Sequence, residues 1–299
     1  MRADRFFIYL FTLILTITVS NTILNGDEGE NDPGKLAYKV MQSADQLKKK
    51  GDVYEAGKIF LEAAMMYKRA IAGDPDNRGY RTNFKYCLGT RGYIQIQKGQ
   101  DLLKQKKYSE AAKYFKWAEE AYKYALTELP DERNFRTNLE YAQYHGGTAY
   151  FESQLSTKGK APELIIDGFS GNKLSLSDMR GKVVLLEFWT GWCPSCKKSM
   201  PVLQSLHKSL SPKGLEIIAV AMDRDKTWKK SGSEKKAIET SKAYGFKFGW
   251  GDTAVSHAYG NFNSVPTMVL IDKKGNLFMK VSYDDQTEEN LGRLVRSLL

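Results

Sequence analysis

Two patterns of hydrophobic and polar positions divide the chain near residue 157. In the first part, apolar and small residues recur every three to four positions, which predicts amphipathic helices. In the second part, near-continuous apolar runs alternate with helical patterns, which predicts an α/β domain whose sheet is covered on both faces. The predicted strands are 183–189, 215–222, 267–272 and 277–281, and the predicted helices are 195–210, 233–244 and 287–297.

The first part contains an internal repeat, because residues 53–86 match residues 108–141 without a gap. Each copy carries one stripe of small and aromatic residues: Ala56, Phe60, Ala63, Tyr67 and Ala70, then Ala111, Phe115, Ala118, Tyr122 and Ala125. Pro75 and Pro130 follow the two stripes, as proline does just beyond a helix. The pattern predicts an all-α domain of about five helices over residues 35–156.

The spacing of small residues, tyrosine and proline in both copies resembles tetratricopeptide (TPR) repeats, although each copy is longer than the usual unit of about 34 residues. The resemblance implies a TPR-like domain that binds a partner protein. We expect its aromatic stripes to form the core between helices, with leftover exposed aromatics free to contact the partner. Cys87 aligns with Ala142, so we expect a buried, inert thiol; a regulatory thiol is the alternative.

The N-terminus has the pattern of a targeting segment. Arg2 and Arg5 precede an uncharged apolar run over 6–19, which predicts a signal peptide within residues 1–20. An uncleaved membrane anchor is the alternative, because the run approaches the ~20 residues that cross a bilayer. Either outcome puts the rest of the chain outside the cytoplasm, in the periplasm or secreted. Residues 21–34 are expected to be a flexible tether.

Length and charge indicate the number of domains and the kind of partner. A chain of 299 residues suggests two domains, and 42% hydrophobic with 27% charged residues is ordinary for a globular protein. The formal net charge is +10, but the lysines lie in helical patterns without interleaved aromatic residues. We therefore expect no nucleic-acid partner.

The candidate chemistry is a pair of cysteines, Cys193 and Cys196, where the first apolar strand meets a helix. Cys193 would cap that helix and Pro194 would occupy its first turn. The free N–H groups of the helix start favour a thiolate, which makes Cys193 the expected nucleophile. Cys196, one turn away, would resolve the resulting mixed disulfide.

A cysteine pair can also bind a metal, attach haem or form a structural disulfide. A zinc site would need two more ligands, and no remaining Cys or His has ligand spacing. Haem attachment would need His at position 197, where Lys197 stands. A purely structural disulfide remains an alternative. We expect no metal and no cofactor.

Several segments carry a resemblance to the thioredoxin superfamily. The run 187–196, Glu-Phe-Trp-Thr-Gly-Trp-Cys-Pro-Ser-Cys, resembles its active-site signature. Pro201 matches its helix-kinking proline, and 264–267, Ser-Val-Pro-Thr, matches the segment that holds a cis-proline. Ala161-Pro162, 174–178 and Gly181-Lys182 look like the TlpA/ResA branch of extracytoplasmic thiol-disulfide oxidoreductases. The resemblance covers 161–299 and implies a thioredoxin-like fold there, after a linker at 157–160.

The resemblance also implies roles for single residues. Glu187 stands at the position of a buried acidic residue that takes the proton of Cys196, although the TlpA branch usually has a neutral amide there; a solvated side chain is the alternative. A cis bond at Pro266 would leave the Val265 backbone free to pair with an extended substrate; a trans bond is the alternative. Trp192 would shape the docking surface, unless it only packs.

The whole sequence therefore predicts a two-domain protein, TPR-like helices followed by a thioredoxin-like domain. The expected activity is reduction of protein disulfides in redox homeostasis, with electrons from an upstream thiol donor. Two alternatives remain. One is a thiol peroxidase, since Thr190 and Cys193 match part of its motif, although Leu186 stands where its proline should be. The other is a non-catalytic scaffold with a vestigial redox domain.

Overall fold

The computed structural model describes residues 32–282 and 285–299. The predicted signal peptide or anchor, and all but the end of the predicted tether, lie outside these residues. Within the described part of the chain, every helix is too short or too polar to cross a bilayer.

Helices fill the described chain up to residue 157, which confirms the predicted all-α first part. They are α1 (Pro33–Lys49), α2 (Val53–Gly73), α3 (Arg78–Lys104), α4 (Tyr108–Glu128) and α5 (Arg133–Thr157). Asp32 and Asp52 cap α1 and α2, because their carboxylates accept hydrogen bonds from backbone N–H groups of the first turn. Cys87 is fully buried, as expected, and burial raises the pKa of its thiol to about 12.

The two repeat copies make the same hydrogen bonds. The Asn83 amide donates to the Tyr67 hydroxyl at 2.9 Å, and the Asn138 amide donates to the Tyr122 hydroxyl at 3.0 Å. In each copy an arginine also donates to the carbonyl of the proline that follows the previous helix, Arg81 to Pro75 and Arg136 to Pro130. The sequence repeat is therefore also a repeat of side-chain contacts.

The described residues form two compact units. One comprises residues 32–98 and Trp117–Glu140, and the other comprises Gly99–Lys116 and Tyr141–Leu299. The second unit thus includes the last part of α5 as well as the sheet.

A seven-stranded sheet lies at the centre of the second unit, in the order β2-β1-β5-β4-β3-β6-β7. Its strands are β1 (Ile165–Gly168), β2 (Lys173–Ser175), β3 (Val183–Trp189), β4 (Leu215–Ala221), β5 (Lys247–Trp250), β6 (Thr267–Ile271) and β7 (Leu277–Val281). β3, β4 and β5 are parallel, and β1, β6 and β7 join the sheet with antiparallel pairing. The helices of this region are α6 (Pro194–Leu210), α7 (Ser233–Ser241), α8 (Thr253–Ala258) and α9 (Glu288–Arg296).

Strand β3 is buried along its whole length and feeds two cores. Val183, Leu185 and Trp189 pack with α6, α9 and the two cysteines at the start of α6. Val184, Leu186 and Phe188 point to the other face. The near-continuous apolar run that predicted this strand reflects burial on both faces.

The end of α5 belongs to that second core. Phe151 is 1% exposed and lies in the cluster around Phe188, with its ring centroid 6.0 Å from that of Tyr259. The Asn261 amide donates to the Tyr144 carbonyl at 2.5 Å. The last turns of α5 therefore pack as part of the unit that contains the sheet.

Candidate active site

The two cysteines stand at the junction of β3 and α6, where the sequence predicts them. Cys193 is the N-cap of α6, and its Sγ lies 3.2 Å from the backbone N of Cys196, which donates to it. Pro194 opens the helix, and Cys193 and Cys196 form a disulfide. Cys193 is 3% exposed and Cys196 is 0% exposed, so both are buried in the disulfide, and the roles assigned to the two cysteines stay a prediction.

The loop between β3 and α6 is held in place by Asp223, which lies two residues beyond the end of β4. The Gly191 N–H donates to both Asp223 carboxylate oxygens, at 3.1 and 3.2 Å. A Cβ at Gly191 would overlap backbone atoms of Ser233 and Ala237, so only glycine fits. Burial raises the pKa of Asp223, and hydrogen bonds from Ser233 and Gly191 oppose that rise.

Sequence reasoning missed Asp223. The signal that could have found it is an acidic residue directly after the carboxyl end of a parallel strand, the edge where α/β sheets carry their functional groups.

Trp192 is fixed by the segment that follows Asp223. Its indole Nε1 donates to the Trp228 carbonyl at 2.9 Å. The ammonium of Lys230 lies 3.3 Å from the centroid of the Trp192 ring, in cation–π contact. Trp192 remains half-buried beside Cys193, so it packs and also borders the site.

The opposite border is the loop before β6. The Val265–Pro266 peptide bond is cis, as predicted, and the trans alternative is wrong. The Val265 carbonyl oxygen lies 3.5 Å from Cys193 Sγ. The fold therefore brings Cys193, Cys196, Trp192 and Val265 together from segments that are distant in sequence.

Glu187 lies within β3 and is 0% exposed, so the alternative of a solvated side chain is wrong. The Ser199 hydroxyl donates to Glu187 Oε1 and lies 2.7 Å from the Cys196 carbonyl oxygen. Glu187 Oε2 has no hydrogen-bond partner among the described residues. Burial raises the pKa of Glu187 to about 8, and the Ser199 hydrogen bond opposes that rise.

The hydrogen bonds around Ser199 agree with a neutral Glu187. Ser199 has one hydroxyl proton and two acceptors in reach, Glu187 Oε1 and the Cys196 carbonyl. A protonated Glu187 can donate to the hydroxyl oxygen while the hydroxyl donates to the carbonyl. The Ser199 hydroxyl and the Cys196 carbonyl then both have partners, and no charge is buried.

No group of three or more His, Cys, Asp or Glu side chains in residues 32–282 and 285–299 is placed to hold a metal ion. The site thus combines a disulfide at a helix start with a buried carboxyl group whose pKa is raised to about 8.

Comparison with known proteins shows which family this chain belongs to. Residues 157–279 match the AhpC/TSA family. The chain is 34% identical over 134 residues to the thiol-disulfide oxidoreductase ResA of Bacillus cereus, covering 44% of this chain and 72% of that protein. It is 33% identical over 154 residues to ResA of Bacillus subtilis, covering 50% of this chain and 79% of that protein.

Among solved structures, the thioredoxin domain of a thiol-disulfide oxidoreductase from Bacteroides vulgatus is 27% identical, with a TM-score of 0.40, covering 46% of this chain and 96% of that one. On the strength of the two ResA similarities, the chain belongs to the ResA-like family of thiol-disulfide oxidoreductases, with a thioredoxin-like domain after a helical region.

Proposed function

We propose that the Cys193-Pro194-Ser195-Cys196 segment is the redox centre and that it reduces disulfides of protein substrates outside the cytoplasm. The observation that carries this proposal is the N-cap position of Cys193, whose sulfur accepts a hydrogen bond from the Cys196 N–H. In the reduced protein the same N–H groups stabilise a Cys193 thiolate, which is the nucleophilic form of cysteine.

The reaction proceeds in two exchanges. The Cys193 thiolate attacks one sulfur of the substrate disulfide, that S–S bond breaks, and the leaving substrate thiolate takes a proton. Cys196 then loses its proton and attacks the Cys193 sulfur. The second substrate thiol leaves, and the Cys193–Cys196 disulfide forms. Two electrons pass to the substrate, and a thiol donor must return them before the next cycle.

Glu187 is the proposed proton acceptor for Cys196. It is connected to the Cys196 backbone through Ser199, and its Oε2 is not engaged by a described residue. A carboxyl group with a pKa of about 8 exchanges its proton near neutral pH, where an ordinary glutamate is fully ionised. In the reverse exchange the same group returns the proton.

Val265 and Trp192 are the proposed substrate contacts. The Val265 carbonyl lies beside Cys193 Sγ and is suited to accept a hydrogen bond from an extended peptide. Trp192 directly precedes Cys193 in the chain, and its half-buried ring offers apolar surface.

Trapping the mixed disulfide tests the redox centre. We expect Cys196→Ser in the full chain to retain substrates on Cys193 as complexes that dithiothreitol releases. Cys193→Ser is the matched control and should trap none. Equal trapping by both variants, or by neither, would contradict the assigned roles. Consumption of hydrogen peroxide faster than reduction of a peptide disulfide would favour the peroxidase alternative.

The location outside the cytoplasm is supported by Arg2, Arg5 and the apolar run that follows them. Fusing residues 1–34 to an alkaline phosphatase that lacks its own signal sequence tests this. We expect phosphatase activity in bacterial cells. Replacing three apolar residues of the run by lysine should abolish that activity, and activity that survives the replacement would contradict export.

The helical region is the proposed partner-binding part. A cleft of about 470 Å³ opens beside α1 and α3, and it is lined by Tyr38, Lys39, Tyr80 and Asn83 among others. We expect Tyr38→Ala with Lys39→Glu to raise the KM for a protein substrate and to leave reduction of a small disulfide unchanged. If the variant and the wild-type protein show the same kinetics with both substrates, the proposed partner-binding role is wrong.

A further inference from the structure

The segment that follows β4 covers one side of the active site. The Trp228 carbonyl accepts the hydrogen bond of the Trp192 indole, and Lys230 lies over the Trp192 ring. Further along, the start of α7 touches Gly191 so closely that no side chain fits there. Charges carried by this segment therefore lie beside the loop that leads into Cys193.

In this segment the acidic side chains are buried and the basic side chains are exposed. Asp223 and Asp225 are 0% and 1% exposed, and backbone N–H groups hold them, Gly191 for Asp223 and Thr227 for Asp225. Lys229 and Lys230, in contrast, are exposed. The carboxylates are turned into the fold, while both lysines are exposed, and the ammonium group of Lys230 lies next to Trp192.

The cysteine helix contributes two more cations. Lys197 and Lys198 directly follow Cys196 and are exposed, and α6 has no acidic residue in its first turn. Positive charge close to a helix start is unfavourable, because it opposes the helix dipole. By comparison, α9 begins with Glu288 and Glu289. The two lysines therefore do not serve helix stability.

We call Lys197, Lys198, Lys229 and Lys230 the basic rim. No carboxylate in the described residues forms an ion pair with any of the four. Glu234, the half-exposed acid of the neighbouring segment, is paired with Arg224 at 3.1 Å. The loop 259–266 on the opposite border carries no charged residue. Of the three segments around Cys193, two thus carry exposed lysines and the third carries no charge.

We infer that the basic rim selects oxidised protein substrates whose reactive disulfide is flanked by acidic side chains. This inference rests on the proposed function and adds the class of substrate to it. A substrate disulfide bound to Cys193 brings its neighbouring residues within about 10 Å of the rim, which is inside the Debye length at moderate salt. Complementary charge at such a rim raises the association rate and makes it depend on salt.

Three disulfide probes test the inference on the reduced full chain. Two are peptides of equal length with one internal disulfide, flanked either by Asp and Glu or by Lys. The third is uncharged bis(2-hydroxyethyl) disulfide. We expect the acidic peptide to react about tenfold faster than the basic one at low salt, and the ratio to approach unity at about 0.5 M salt.

Charge reversal at two places locates the effect. Lys197→Glu with Lys229→Glu should invert the preference between the peptides. Lys213→Glu with Lys274→Glu is the matched control, because these exposed lysines lie at the other end of the sheet and the net charge changes equally. The control variant should keep the preference for the acidic peptide.

Equal rates for the two peptides at low salt, or the same change in both variants, would overturn the inference. If no probe is reduced, including the uncharged one, the proposed function itself fails. Rates with the uncharged disulfide also correct for any effect of the reversals on the reactivity of Cys193.

Discussion

The two ends of the central sheet each hold a buried glutamate, on neighbouring strands. Glu187 lies towards the end of β3, and Glu216 lies at the start of β4, where it is in register with Val184. Glu216 accepts hydrogen bonds from Lys182 at 2.9 Å and from Lys247 at 2.5 Å. Among the described residues, Glu187 has Ser199 as its single hydrogen-bond partner. The two carboxylates thus differ in their partners far more than in their burial.

This difference sends their pKa values in opposite directions. Burial raises the pKa of Glu187 to about 8, because a single neutral donor opposes it. Burial also acts to raise the pKa of Glu216, but the hydrogen bonds and charges of Lys247 and Lys182 outweigh it, and the pKa is lowered. One end of the sheet therefore holds a carboxylate that stays charged above its lowered pKa, and the other holds a group whose raised pKa lets it exchange a proton.

Replacing Glu187 by glutamine should have the largest effect. Between pH 4.5 and about 8 the folded state holds a proton that the unfolded state has lost, so wild-type stability falls as pH rises through this window. We expect E187Q to raise the free energy of unfolding by about 3 kcal/mol at pH 8, and by far less at pH 5. Urea unfolding of the oxidised protein at both pH values measures it. A gain that does not depend on pH would contradict the raised pKa.

Replacing Glu216 by glutamine should change the free energy of unfolding in the opposite direction. E216Q should lower the free energy of unfolding by about 2 kcal/mol at pH 7, because Lys182 and Lys247 lose a buried ionic acceptor. The lowered pKa means that this contribution is present above pH 4.5 and is lost as pH falls through the folded-state pKa. Urea unfolding at pH 7 and pH 3 should show the variant and wild type converging in acid. If E216Q raised the free energy of unfolding, the stabilising role of the charged Glu216 would be contradicted.

The effect of E187Q on the reaction rate should correspond to a smaller free-energy change than its effect on stability. We expect resolution of the mixed disulfide by Cys196 to slow about tenfold at pH 7, while the first attack by Cys193 stays nearly unchanged. The rate of resolution should also lose its inflection near pH 8. Stopped-flow fluorescence between pH 6 and 9 separates the two steps, and E216Q is the control. Wild-type rates for both steps in E187Q would make Glu187 a bystander.

Removing the Ser199 hydroxyl should have the smallest effect. Ser199→Ala takes away the hydrogen bond that opposes the raised pKa of Glu187, so that pKa should rise further. The pH dependence of unfolding should extend to higher pH, with a change in the free energy of unfolding of about 1 kcal/mol at pH 8. Ser199→Thr keeps a hydroxyl and should restore the wild-type profile. An unchanged profile in the alanine variant would show that Ser199 does not tune Glu187.

Patterns local in sequence predicted the parts of this site that depend on local structure. The apolar run of β3, the N-cap at Cys193 and Pro194 within the first turn all lie within a short stretch of chain, and the structure confirms them. The cis bond at Pro266 was expected only from the resemblance to thioredoxin.

Contacts between distant segments could not be predicted from the sequence. Hydrophobic periodicity tells which face of a strand is buried, but not which polar group will meet it there. The bond between Gly191 and Asp223, and the two lysines on Glu216, depend on strand order, which no local pattern encodes. The strands β1, β2 and β5 were missed because runs of three or four residues are too short to reveal alternation.

The burial of Phe151 among the aromatic residues behind β3 bears on how this enzyme can be cut and recombined. A redox cassette starting at residue 161 would leave Phe188 and Tyr259 without the ring that covers them. Chimaeras and expression fragments of the redox part should therefore begin before Tyr144, whose carbonyl and helix are already held by Asn261.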